Sequence, residues 1–419
     1  IASSFLLGSK AGKEAWIEPI VDRNEKTIQY RVRYGGTKAE LIKAREGTKS
    51  ARANFRCLLS GGAITADYVR EKAQAGQMSE VLIAVVAEGK NRRYYVAPDA
   101  EQVSAAKVLD FREAAKDFRE TNLHGATPER LTGGTCHAFG LENWGNLFTD
   151  RQVISLKTLI GTLPEVMERI IADAVAEGRE DDKIPLSKDG RGASAYANAI
   201  CVYLAFAINR SADRGSTICS WDSSPKMEAL RNTFARQALP MTWDFAEGNP
   251  FSDATGNFLA NVEWVYKVVE RFVPSNTGHE IQFDAQSVTI PENSVISTDP
   301  PYYDNIGYAD LSDFFFCWMR VSLRPLFPDL FGVLATPKPE ELVATAFRHG
   351  GRESAEAFFL DGMGRAIKSM AEQSSDFAPA TIYYAFKQSE VAQEGISSTG
   401  WATFLQAVVE AGYAVVGTW

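Results

Sequence analysis

Ser294-Val295-Ile296-Ser297-Thr298-Asp299-Pro300-Pro301-Tyr302-Tyr303-Asp304-Asn305 is the stretch whose reading decides the fold. A β-branched run ends in an acid, two prolines and two aromatic rings. Val295 and Ile296 favour a buried strand, and neither Pro300 nor Pro301 can donate to a ladder, so the strand is expected to stop there. Both proline φ angles are restricted, which makes the turn stiff. Residues just beyond the carboxyl end of a strand occupy the position where open α/β sheets bind ligands. Asp-Pro-Pro alone would read as an ordinary strand exit. The second tyrosine, and an acid upstream at Asp284, turn the reading toward function.

The run resembles the Asp-Pro-Pro-Tyr signature of amino-methyltransferases, which methylate adenine N6 or cytosine N4. Thr298 to Asp313, reading TDPPYYDNIGYADLSD, is similar to adenine-specific DNA methylases associated with a zinc ribbon and anti-phage defence. The resemblance also takes in SFLLGSKAGKEAWIEPIVD near the start, NTFARQALPMTWDFAEGNPFSD from Asn232 and YYAFKQSE from Tyr383, and so covers most of the chain. It implies a Rossmann-like class I methyltransferase sheet using S-adenosyl-L-methionine, behind an N-terminal, mostly β, degenerate zinc-ribbon-like module. DNA is the implied partner, with other subunits of a defence or modification system.

The local chemistry agrees with that expectation. An exocyclic amine on a base is a poor nucleophile because its lone pair is delocalised into the ring. Two acceptors on its hydrogens draw it toward a tetrahedral nitrogen that can attack a sulfonium methyl. Asp299 would supply one acceptor and the Pro300 carbonyl the other, with Pro301 stiffening the turn. Tyr302 offers a stacking face for a flipped base, worth roughly 1–3 kcal/mol against an unstacking cost of a few kcal/mol. Neither a metal nor a covalent nucleophile is required, since positioning and electrostatics carry such a step. Tyr303 and Asn305 on the same turn are expected to touch nucleic acid. Glu280-Ile281-Gln282-Phe283-Asp284-Ala285 reads as a short strand ending in an acid, and methyltransferases of this type set such an acid against the amine of the cofactor adenine. The spacing from Asp284 to Asp299 suits adjacent strand ends.

At 419 residues the length suggests two or three domains with ample core. No run of eighteen-odd uncharged apolar residues is present, so a transmembrane helix is not expected, and no signal-peptide pattern opens the chain. The first residue is Ile1 and the last, Trp419, ends an apolar run, which reads as an internal fragment of a larger protein. Net charge is -9, yet residues 1–60 hold twelve Lys/Arg against six acids, leaving that segment +6. A basic front carrying Arg31, Arg33, Lys43 and Arg45 suits contact with phosphates, although a solvated basic face without a partner is equally in keeping with charge alone. Five cysteines without a Cys-x-x-Cys pair point to reduced thiols in the cytoplasm.

Residues 1–120 read as a β-rich module. Trp16–Val21 and Thr27–Tyr34 alternate apolar and polar, and Val81–Ala87 and Arg93–Val96 look like further strands. Cys57-Leu58-Leu59-Ser60-Gly61-Gly62 resembles a zinc-ribbon knuckle with Ser60 where a second ligand belongs, so Cys57 is expected to be a small buried hydrophobe. Polar residues 98–130 suggest a linker leading into a helical middle region, 121–250. There Thr149 looks like the N-cap of a helix running to Ala176, with Gln152 completing a capping box. Phe148 and Thr149 also stand where such enzymes carry a Phe-Thr-Pro-like turn at the methionine end of the cofactor, although Asp150 replaces the proline. Ala193–Ala212 reads as an apolar helix against the sheet, and Trp221 to Phe251 as a polar-aromatic segment suited to a nucleic-acid cleft. In 251–419, strands alternating with helices argue a largely parallel α/β sheet. The helices are Asn257–Phe272, Leu311–Leu326, Glu353–Glu372 and Trp401–Ala411. Strands are expected at Thr381–Phe386 and Tyr413–Thr418.

A strand followed by a Gly-rich turn, which lets backbone approach the cofactor, is not found. Gly61-Gly62 and Gly133-Gly134 lack the strand–turn–helix setting. The chain is thus expected to carry the base-binding half of a methyltransferase. Alternatives are cytosine-N4 or RNA adenine methylation, or a non-catalytic subunit that recognises a flipped base. With Ser60 in a ligand position, the protein is predicted to purify without stoichiometric zinc. Elemental analysis giving about one zinc per chain would overturn that reading of the knuckle.

Overall fold

The computed structural model describes residues 1–419 except 91, 92, 108, 132, 255, 277, 292, 304, 305, 385–398 and 419, and except the side chains at 109, 399, 400 and 403. It is a mixed α/β structure with small sheets, divided into two compact units. The first comprises Ile1–Val273 and Ser312–Thr336, the second Pro274–Leu311 and Pro337–Trp419. These boundaries differ from the expected breaks near 120 and 250.

The first unit opens with an antiparallel meander of β1 (Leu6–Gly8), β2 (Ala15–Asp22) and β3 (Thr27–Tyr34). The alternation along Thr27–Tyr34 puts Ile28, Tyr30 and Val32 on the covered face and Arg31 and Arg33 on the exposed one. Helix α1 (Lys38–Glu46) starts at Thr37, whose hydroxyl accepts from Glu40 N while Glu40 reaches back to the Thr37 N–H. It ends at Gly47, φ 58°, where a Cβ would lie 2.6 Å from the Ala2 carbonyl, so only glycine fits. A second meander, β4 (Lys49–Ala51), β5 (Asn54–Arg56) and β6 (Ala63–Ile64), leads into α2 (Ala66–Gln74) and the hairpin β7 (Val85–Glu88) with β8 (Arg93–Val96). The strand expected from Val81 thus begins at Val85, where pairing with Val96 starts.

Residues 98–130 are no plain linker. They form α3 (Ala100–Lys107) and α4 (Arg112–Asn122), and α4 buries Ala115 and Phe118. The single helix expected from Thr149 to Ala176 is two, α5 (Asp150–Gly161) and α6 (Leu163–Ala176). Pro164 has no N–H to donate to the Ile160 carbonyl, so the ladder breaks at Thr162. Among the described residues, the main packing of helix α7 (Ala193–Arg214) is against helices, α5, α6 and later α8 (Phe258–Arg271), rather than against a sheet. Its buried alanines allow helices to approach it on several sides. Between these helices β9 (Trp221–Asp222) pairs with β10 (Ala229–Leu230).

Helix α9 (Tyr308–Leu323) begins three residues earlier than expected and is followed by the short α10 (Pro328–Phe331). Its aromatic face is core. Phe314 and Trp318 have no exposed surface. Phe314 meets Trp144, Phe148, Phe234 and Phe315 with centroids 5.1–6.2 Å apart, and Trp318 stacks on Phe118.

In the second unit β11 (Ser297–Thr298) pairs in parallel with β12 (Thr381–Ile382), extended by a parallel bridge from Ser294 to Ser374. The other named sheets are antiparallel. Helices α11 (Arg352–Gln373) and α12 (Thr399–Glu410) pack through Phe359, Met363, Ile367, Phe404 and Val408. Three strand expectations are corrected. Val295 is exposed, and the strand begins after it. Glu280–Ala285 and Tyr413–Thr418 form no strand, and Ile281, Phe283, Val415 and Val416 lie exposed. Five or six alternating residues do not make a strand without a ladder partner. No described helix is long and apolar enough to cross a membrane.

Phe314→Ala should destabilise the protein by about 3–5 kcal/mol, because the ring leaves a cavity among four others. Urea unfolding followed by circular dichroism measures this. A loss below about 1 kcal/mol would mean that the aromatic cluster does not hold the first unit.

Candidate functional site

Asp299 follows β11 directly and its side chain is exposed. The pairing that places it is explicit. Thr381 N donates to the Ile296 carbonyl at 3.0 Å and Tyr383 N to the Thr298 carbonyl at 2.8 Å. The ladder then stops, since Pro300 and Pro301 have no N–H to continue it. The turn therefore delivers an unsheathed carboxylate at the carboxyl end of a parallel strand.

The two tyrosines after the prolines have different settings. Tyr302 is half-buried and meets Tyr384 nearly edge to face, centroids 5.6 Å apart at 79°. Tyr384 in turn stacks on Phe404 at 4.2 Å and on Trp401 at 5.9 Å. Tyr303 packs edge to face on Phe359 at 5.2 Å, within the second unit's core. Its carbonyl accepts from Ala344 N at 2.6 Å. Tyr303 is thus an anchor for the turn, and the expected nucleic-acid contact gains no geometric support there. Asn305 lies outside the described residues.

The sequence reading missed the group that holds this turn. Arg348 donates from Nη2 to Asp310 Oδ2 at 2.5 Å and from Nη1 to Glu341 Oε2 at 2.6 Å. All three side chains are 10–13% exposed. Glu341 Oε1 also accepts from Ala309 N at 2.8 Å, in the first turn of α9. One buried guanidinium thereby ties residues 309–310, just after the signature, to the 341–348 segment that grips Tyr303. Burial lowers the Arg348 pKa, but hydrogen bonding from Glu341 and the charge of Asp310 outweigh it and raise the value. Burial lifts Asp310 above the ordinary carboxylate range although Arg348 pulls the other way. Burial, helped by the negative charge of Asp299 and Glu341, also lifts the Tyr308 hydroxyl above the usual tyrosine value. A signal was present in the sequence: Asp310 stands one turn before the dense aromatic run of α9, and an acid buried there needs a partner. Nothing local says that the partner is Arg348.

Residues expected at the cofactor are committed elsewhere. Asp284 ends no strand. Its carboxylate accepts from Gln286 N at 2.9 Å and from Gln286 Nε2 at 3.1 Å, closing a turn. Phe148 is 3% exposed, stacked on Phe314 at 5.5 Å and edge-on to Trp318 at 5.0 Å, so no ring face is open. Thr149 caps α5 with Gln152, and its hydroxyl reaches Glu247 at 3.3 Å. The capping reading of Thr149 is what the structure shows.

The basic front is partly engaged within the protein. Arg33 approaches Glu18 at 3.5 Å, and Arg31 lies opposite Glu18 in the β2–β3 register. Lys43 and Arg45 are exposed in the last turn of α1. The Trp221–Phe251 segment is largely structural. Arg231 pairs with Asp222, Asn232 donates to Asp213, and Trp243 packs edge-on to Phe55 and Phe139. Arg236 and Gln237 remain exposed.

Cys57 is half-exposed, not buried. Its sulfur accepts from Ser60 N at 3.5 Å, and hydrogen bonding by the Ser60 side chain and backbone pulls the thiol below the usual cysteine value. Among the described residues no cluster of three or more His, Cys, Asp or Glu could hold a metal. No protein-family model, curated protein or solved structure matches this chain.

Arg348→Met should lower stability by about 3–5 kcal/mol at neutral pH, since two carboxylates are left buried without their cation. The deficit should shrink in acid. An acid whose folded-state pKa lies above its unfolded value binds its proton more tightly when folded, so Asp310 without Arg348 stabilises the fold as pH falls toward the carboxylate range. Urea titrations at several pH values test this. A deficit that is small, or that grows in acid, would rule out the clamp.

Proposed function

We propose that this chain carries the base-binding half of a site-specific DNA adenine-N6 methyltransferase that serves restriction or anti-phage defence. The observation that carries the reading is Asp299, exposed at the carboxyl end of a parallel strand and followed at once by Pro300, Pro301 and the half-buried ring of Tyr302. In this reading the parallel pair β11–β12 belongs to a Rossmann-like sheet, with the site at the strand ends as such folds require.

The chemistry assigned to these residues is positional. The Asp299 carboxylate and the Pro300 carbonyl accept the two hydrogens of the target amine and orient its lone pair away from the ring. Tyr302 receives the flipped base, with Tyr384 bracing its edge. Arg348, through Asp310 and Glu341, keeps the turn from drifting, which matters because a misplacement of about 1 Å can cost 100-fold in rate. S-adenosyl-L-methionine is the methyl donor this reading implies. Asp284, Phe148 and Thr149 do not form a cradle for it, so no step is assigned to it on this chain. That same observation favours a second reading, in which the chain recognises a flipped base without methylating it.

Asp299→Ala in the full-length protein should abolish methyl transfer. One charge-assisted hydrogen bond is worth roughly 1.5–3 kcal/mol, and misorientation adds to the loss. The melting temperature should barely change, because the side chain is exposed. Mass spectrometry of methylated bases in DNA measures the rate. Near-normal methylation in the variant would exclude Asp299 as the acceptor, and a wild-type protein that never methylates while binding mismatched adenine would select the second reading.

A further inference from the structure

We propose that Arg210 and Arg214 form a phosphate-binding site in the cavity between α7 and α8. The two arginines are one helical turn apart, so both project from one face of α7. They line a cavity of about 210 Å³ together with Asp253, Asn257, Asn261 and Trp264. That is several times the ~30 Å³ share of one water.

The two arginines of this cavity are not tied up by ion pairs, although Asp253 shares its lining. Neither arginine has an ion-pair partner among the described residues. Arg210 Nε is buried without an acceptor among them, and its guanidinium lies 5.3 Å over the Trp264 ring. A buried charged donor without an acceptor is unfavourable, and two like charges at this spacing repel, so an anion relieves both. A guanidinium fork matches phosphate oxygens two at a time.

The walls are built to keep the space open. Gly256 has φ +93°, and a Cβ there would lie 2.7 Å from Arg214 Cδ, so glycine lets the loop close on the arginine stem. Asn261 Nδ2 donates to Ser211 Oγ at 3.0 Å and to the Gly256 carbonyl at 3.1 Å, fastening that loop to α7. Two of the first N–H groups of α8 are already used. Phe258 N donates to the Pro250 carbonyl and Ala260 N to Asn257 Oδ1. The guanidinium groups therefore carry the site. Asp253 at the same cavity opposes an anion, and its exposure to solvent weakens that opposition.

The phosphate has two sources, a nucleic-acid backbone or a free phosphoryl compound, and the site does not depend on the methyltransferase reading. The test titrates the whole chain with inorganic phosphate, against chloride at matched ionic strength, following thermal stability and tryptophan fluorescence. Labelled duplex DNA is titrated in parallel by anisotropy. Phosphate should raise the melting temperature of the wild type, and Arg210→Gln or Arg214→Gln should remove the gain. If the source is a backbone, the same variants weaken duplex binding at least about tenfold; if it is a free phosphoryl group, duplex binding is unchanged while the phosphate response is lost. Should the glutamine variants fail to fold, phenylglyoxal labelling of the wild type read by peptide mass spectrometry decides. Phosphate should then protect Arg210 and Arg214 several-fold and leave exposed Arg236 unprotected. No phosphate response in the wild type, a response that survives both variants, or labelling without protection overturns the site.

Discussion

One buried guanidinium constrains the candidate site. Arg348 is held on two sides by carboxylates from separate segments, Asp310 in α9 and Glu341 in the loop between α10 and α11. Neither carboxylate could be buried alone, and the cation could not be buried without them. Each position therefore dictates the other two. The Pro-Pro-Tyr-Tyr turn lies between β11 and α9, so the clamp after it and the β11–β12 ladder before it together set where Asp299 points. Rigidity of this kind suits a site that works by orientation, because positioned acceptors act only where a substrate atom will be.

The first unit is held by different physics. Its centre is apolar and aromatic, with Phe314 and Trp318 enclosed by rings from α4, from residues 144–148 and from Phe234. Non-directional burial tolerates much variation, whereas the Arg348 clamp depends on geometry. Polar residues that looked free to meet a ligand, such as Arg231 and Asn232, serve this unit's own loops instead. Arg210 and Arg214 differ from them: they line a cavity and form no ion pair among the described residues, with Asp253 in the same lining.

The contrast between Thr149 and Asp284 shows how far local pattern carries. Thr149 with Gln152 three residues on is a capping box, and the structure contains it, because both partners lie within one turn. The alternation from Glu280 to Asp284 points to a strand end, yet Asp284 closes a turn. A strand is stable only through a neighbour, often far away in sequence, which a short alternation does not specify. Cys57 failed for a related reason. Burial is a property of what packs over a residue, and little packs over the 57–62 turn.

What the sequence by itself determined is therefore local. It includes the helices with caps and apolar stripes, the β2–β3 hairpin with its two-residue alternation and the end of β11 just before Pro300. Each follows from propensities and periods contained in a few consecutive residues. Only the tertiary structure decided the pairing of β11 with a strand more than eighty residues later, the withdrawal of Phe148 into the core, the clamp of Arg348 on Asp310 and Glu341, and the meeting of Arg210 and Arg214 with Trp264 and Gly256 at one cavity. These are long-range, and their stability comes from removing apolar surface or charge from water. A residue's neighbours in space, and not its neighbours in the chain, set that removal.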